Sequence, residues 1–183
     1  MNEPLTDSAT KYRRSHYLVV VLAVAATAAG LDQVAKWIAA EVLTPGQPQV
    51  LISGLLDLNL RTNPHGAFGL FASFPADLRL PILLALGVLG MLAIVTFSIR
   101  TLGWSTRNSL ALGLILGGAL SNLTDRAVRG EVLDFIDIHI GSQGRWPTFN
   151  LADVAITAGS LALVGIMIAT WLKQRKEEAM PEN

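Results

Sequence analysis

The sequence has no cysteine and little charge, and each shortage removes a class of explanation. Without cysteine there is no disulfide, no thiolate nucleophile and no thiolate zinc site, whichever compartment the loops face. Charged residues are 15% of the 183, against roughly 25% in soluble domains. Fourteen Lys and Arg balance fourteen Asp and Glu, so no basic excess suggests nucleic acid and no acidic excess a solvated tail. The three histidines, His16, His65 and His139, show no HExxH spacing, which gives metal binding little support. Repeats and low-complexity linkers are missing too. What remains is apolar: 51% of the chain is hydrophobic, a membrane composition in a length that suits one domain over 1–183.

Crossing about 30 Å of hydrocarbon takes roughly 20 helical residues, and four segments meet or approach that length: about 17–40, 80–99, 107–125 and 153–172. The first is uncharged only from Tyr17 to Leu31. Its basic start and small-residue end "ATAAG" also fit a cleavable signal peptide. Three further spans, and an apolar pattern continuing through Val34, Trp37 and Ile38, favour a retained helix. Asp32 and Lys36 then form an i, i+4 pair in the favourable order, neutralising each other near the membrane face. Eight of the fourteen Lys and Arg fall in the two tails and the Arg100–Arg107 connection, which predicts cytoplasmic termini. The outer loops are then about 41–79 and 126–152.

Both loops carry the period-two mark of strands. "LDLNLR", from Leu56 to Arg61, alternates apolar and polar; "FIDIHI" sets Ile136, Ile138 and Ile140 on one face and Asp137 and His139 on the other. A small sheet lying on the bilayer is expected. In the third span Gly113, Gly117 and Ser121 recur every four residues, leaving a groove for close helix approach.

Polar residues gather where these spans end. "SNLTDR" brings Asn122, Asp125 and Arg126 within about one turn at the outer membrane face, "EVLDF" supplies Asp134, and "FNLADV" supplies Asn150 and Asp153. The first outer loop adds "NPHGAF", with Asn63 before a Pro and a Gly. Each has a plain structural reading. Asn150 is a favoured N-cap and Asp153 at N3 complements the helix dipole; Asp125 and Arg126 read as an interfacial ion pair; "NPHGAF" reads as a turn. Asp134 and Asp153 nevertheless belong to one outer connection, whose return onto the fourth helix can place two carboxylates together. Such a pair holds one shared proton and titrates as a unit. It can then act as acid and base at once, as aspartic proteases do. A proton relay in a transporter is the main rival, although the acids cluster at one face instead of crossing the membrane depth. A helix-packing partner of other membrane proteins is the third option.

The ordered set "DQVAK" (Asp32–Lys36), "NPHGAF", "GGALSNLTDR", "VLDF" and "PTFNLADV" resembles bacterial lipoprotein signal peptidase, or signal peptidase II, from about Tyr17 to Leu172. The resemblance implies an all-α membrane fold of four transmembrane helices with a small periplasmic β-sheet and extended outer loops. It implies a multi-pass aspartic endopeptidase of the bacterial inner membrane that needs no cofactor. Its substrates would be diacylglyceryl-modified prolipoproteins, met in the lipid and cut before the modified cysteine near the periplasmic face; a monomer is expected. Carried over by motif, Asp134 and Asp153 are the catalytic pair. Asn63, Gly66, Asn122, Arg126 and Asn150 line the site, and Asp32, Lys36 and Asp125 are structural. One departure stands out: His65 occupies the family's usual glycine, which reads first as a tolerated turn substitution, and otherwise as passing that glycine's backbone role to Gly66, adding a titrating group near the acids, or signalling a paralogue with an altered substrate.

Overall fold

The computed structural model describes residues 7–66, 69–140 and 144–178, with side chains from Arg14 onward. Four long helices run through α1 (Asp7–Val42), α2 (Ala76–Phe97), α3 (Thr106–Arg129) and α4 (Leu151–Glu178). Between them lies an antiparallel sheet of β1 (Gln49–Ile52), β2 (Leu56–Asn63), β3 (Val132–Ile140) and β4 (Gly144–Arg145), in that spatial order. Three helical stretches, Arg14–Val42, Ala76–Leu102 and Leu151–Glu178, are long and apolar enough to cross a bilayer. Their apolar side chains point outward, with Leu22 67% and Leu161 68% exposed, the inverse of a soluble core. Helix α3 differs, being the most amphipathic of the four and packed between α1 and α4.

Small residues let α3 sit that close. A Cβ added at Gly113 would meet Val24 at 2.7 Å and one at Gly117 would meet the Ala28 side chain at 2.8 Å, so the glycine stripe faces α1. Gly118, one position on, abuts Ala152 of α4, and Gly159 of α4 abuts Ala111 and Ile115 in return. Ser121 completes the stripe by donating to Asp32 Oδ2 of α1 at 2.7 Å. Helix α2 continues as a π-helical turn at Ser98–Leu102, and α3 then starts at the Ser105 N-cap, which accepts from Asn108 N–H at 3.2 Å.

The sheet is turned inside out relative to a soluble one. On β3, Leu133, Phe135 and Asp137 are buried, with the two apolar residues packed on Ala39, Leu43 and Leu60. Ile138 and Ile140 on the opposite face are 38% and 72% exposed. The expected alternation is present in its first half on β2, with Asp57 and Asn59 inward as Asp137 is on β3, and breaks at the register irregularity, where Leu60 is buried and Arg61 exposed.

Candidate active site

Asp134 stands on β3, opposite Arg61 of β2 and just past an irregularity in the β2–β3 register. Its carboxylate accepts from Asn63 Nδ2 at 3.2 Å and from Asn150 Nδ2 at 2.7 Å. Asp153 sits in the first turn of α4. Asn150 Oδ1 accepts from Asp153 N–H at 2.9 Å while Asp153 Oδ2 accepts from Asn150 N–H at 3.3 Å, a reciprocal capping box. The cap and the meeting of the two acids are therefore one structure. Asn150, fully buried, joins both carboxylates and also donates to the Leu133 carbonyl.

Asn122 repeats the device from α3. Its Nδ2 donates to Asp153 Oδ1 at 2.9 Å, and its Oδ1 accepts from Lys36 Nζ at 3.0 Å and Asn150 Nδ2 at 3.2 Å. An ammonium has no acceptor capacity, so Lys36 fixes which end of the Asn122 amide faces the acid. Lys36 itself is buried and paired at 2.7 Å with both Asp32 and Asp125. Asp32 in turn accepts from Ala152 N–H at 2.8 Å, and Gln33 donates to Asp125 Oδ1 at 3.0 Å. The Asp32–Lys36 pair thus lies wholly inside the helix bundle. Asp125 pairs with Lys36 instead of its neighbour Arg126, because successive helical residues point to different sides.

Arg126 makes one hydrogen bond, NH1 to the Asn122 carbonyl at 3.3 Å, and its buried Nε meets no acceptor among the described residues. Burial, and next to it the charge of Asp153, push the Asp134 carboxyl up to about 7; donation from Asn63 and Asn150 opposes them.

Asn63, Asn122, Arg126, Asp134 and Asp153 line one cavity of about 790 Å³. The rest of its wall is largely apolar, from Leu123 of α3 through Val154, Ile156 and Leu161 of α4 to Trp146 and Phe149. Asn150 is enclosed behind it. Gly66 does not line it, but has φ of 75° and lies where an added Cβ would come within 2.9 Å of Leu83, so it needs to be glycine. His65 donates its backbone N–H to Asn63 Oδ1 at 3.2 Å, helping hold the asparagine that reaches Asp134. Ala67 and Phe68 of the same motif lie outside the described residues.

Sequence reasoning missed a second polar cluster, on the inner face of the sheet. Asp57 and Asp137 are cross-strand partners, a destabilising pairing of like charges by itself. Arg145 NH1 reaches Asp137 Oδ2 at 2.8 Å, Asn59 Nδ2 reaches the same oxygen at 2.9 Å, and His139 Nε2 lies 3.0 Å from Asp57 Oδ2. The signal was present: D-x-N and D-x-H at strand period put all four side chains on one face.

Membrane-length helices, with carboxylates and amides drawn together in a cavity whose remaining wall is largely apolar, define a class: a membrane protein with a polar site lined by acids. Comparison with known proteins narrows this. Residues 24–169 match the family of signal peptidase (SPase) II. The chain is 36% identical over 174 residues to the lipoprotein signal peptidase of Sphingopyxis alaskensis, covering 92% of this chain and 96% of that one. It is 38% identical over 143 residues to that of Aquifex aeolicus, covering 78% and 82%. A solved bacterial membrane enzyme superposes with a TM-score of 0.70 at 28% identity, covering 89% of this chain and 93% of that one. The chain belongs to the signal peptidase II family, the bacterial membrane proteases of lipoprotein processing.

Proposed function

We propose that this chain is an aspartic endopeptidase that removes signal peptides from diacylglyceryl-modified prolipoproteins, cutting before the lipid-bearing cysteine. Asp134 and Asp153 are its catalytic pair. The observation that carries this reading is the joining of both carboxylates by Asn150 at the head of α4, through its side-chain amide to Asp134 and its backbone N–H to Asp153, in a cavity they share with Arg126. The pair holds one proton. Its ionised member takes a proton from water as the water oxygen bonds the scissile carbonyl carbon, and its protonated member donates to the carbonyl oxygen. Proton return to the amide nitrogen breaks the C–N bond. Asn63, Asn122 and Asn150 hold the acids, while Arg126 offers free donors to the substrate and offsets negative charge. No metal or cofactor enters these steps.

The apolar wall formed by α3 and α4 suits a signal helix entering sideways from the bilayer, with its diacylglyceryl group left in lipid. On this reading α3 is the fourth span, the enzyme is a single monomeric domain of the inner membrane, both termini are cytoplasmic, and the cavity opens at the outer face. The test is cleavage of a lipidated precursor by purified protein. Asp134→Asn and Asp153→Asn each lower kcat by about a hundredfold or more; near-normal turnover by either folded variant sinks the assignment. Proton flux into liposomes without cleavage would favour a transporter instead.

A further inference from the structure

The cavity wall from Trp146 to Phe149 runs beside β3 as an irregular edge segment, outside the regular strands. Trp146 donates its N–H to the Ile138 carbonyl at 2.8 Å, and Phe149 exchanges both main-chain bonds with Ile136 at 3.0 and 2.9 Å. This run continues past β4 beside β3 with a one-residue slip in register, the Ile140–Gly144 and His139–Arg145 pairs giving way to an isolated bridge between Ile136 and Phe149. A one-residue slip puts Phe149 opposite Ile136, in the place a regular ladder would give Thr148; main-chain groups of neighbouring residues in extended backbone point to opposite edges, so those of Thr148 are left off the β3 ladder. Among the described residues none bonds the N–H or C=O of Thr148. Thr148 is half-buried and lines the cavity that holds Asp134 and Asp153.

We propose that this edge is a docking ledge for the substrate main chain: an extended segment beside the scissile bond pairs with the N–H and C=O of Thr148. Arg145 is the positioning residue that holds the ledge. The inference rests on the reading of the cavity as a peptidase cleft. Addition of a strand to an exposed edge recognises any sequence through its main chain, which suits an enzyme that must accept many precursors and leaves selectivity to the lipid and the apolar helix. Phe149 fixes one end of the ledge through Ile136. The other end hangs on β4, only two residues long, and there Arg145 reaches across the inner face to Asp137 and lies 4.0 Å from Asp57. Arg145 does not line the cavity, so its effect on substrate is exerted through Trp146 and Thr148.

The experiment is a backbone scan. A lipidated precursor peptide is N-methylated at one amide at a time on either side of the scissile bond, sparing that bond, and is cleaved by the wild-type enzyme and by Arg145→Gln. Wild type should show a single sensitive amide whose methylation raises KM about five- to tenfold, the weight of one hydrogen bond, with kcat within about twofold. Arg145→Gln should raise KM for the unmodified peptide by a similar factor and respond less to methylation at that amide, and Arg145→Lys should recover part of the loss. Uniform tolerance of methylation by a wild type that cleaves the parent peptide overturns the ledge and leaves the peptidase reading intact. A kcat loss in Arg145→Gln with unchanged KM overturns the positioning role. Failure of the wild type to cleave the parent peptide at all removes both.

Discussion

At the scale of single residues, Asp134 couples chemistry to stability. Its carboxyl in the folded chain is pushed up to about 7, chiefly by burial and then by Asp153, whereas an unfolded one ionises near ~3.9. Between those values only the folded state keeps the proton. The stabilisation this brings is present at low pH and is lost as pH rises through about 7. The span corresponds to roughly 4 kcal/mol at most. In detergent, wild-type Tm should therefore fall between pH 5 and pH 8, and Asp134→Asn should flatten that dependence and be the more stable protein at pH 8. Lys36 makes the opposite case. Replacing it with Met strands two buried carboxylates, Asp32 and Asp125, at a cost of about 3–5 kcal/mol; Lys36→Met with Asp125→Asn should recover part of the lost yield of folded protein. The sequence showed Asp32 and Lys36 as an i, i+4 pair but not the third member, which lies 89 positions further on from Lys36 and joins only when α3 packs on α1.

At the scale of elements, the fourth helix mounts one acid and the sheet the other. Asn150 and Asp153 have the spacing of a cap, and the cap forms. What local pattern could not supply is Asn122, which turns its amide toward Asp153 because Lys36 occupies the other end. That geometry depends on α3 lying close to both neighbours. Gly117→Leu should force α1 and α3 apart, since even a Cβ at this position meets Ala28 at 2.8 Å. A loss of at least about 1–3 kcal/mol is expected, with activity falling alongside stability, measured by denaturant unfolding and cleavage on the same preparation. The glycine periodicity foretold close packing. It did not say which helix the stripe would meet.

At the scale of the whole molecule, an outward apolar surface and inward polar clusters fit a lipid surround. The absence of cysteine offers a clean test of orientation. Pro45→Cys, just after α1, and Thr101→Cys, at the end of the helical stretch that begins at Ala76, place single thiols at exposed positions at opposite ends of the helices. In intact spheroplasts an impermeant maleimide should label position 45, and label position 101 only after permeabilisation; the reverse would invert the topology. The sequence by itself determined the helix-forming stretches, the two alternating strands and the motifs of the signal peptidase II family, because hydropathy period and motif order are local properties of the chain. Only the tertiary structure decided which polar residues meet: Lys36 with Asp125, Asn122 with Asp153, Arg145 with Asp137. Two of these three pairs join residues from different helices, and all three depend on how buried groups satisfy one another, a choice fixed by how closely backbones approach and not by any spacing along the chain.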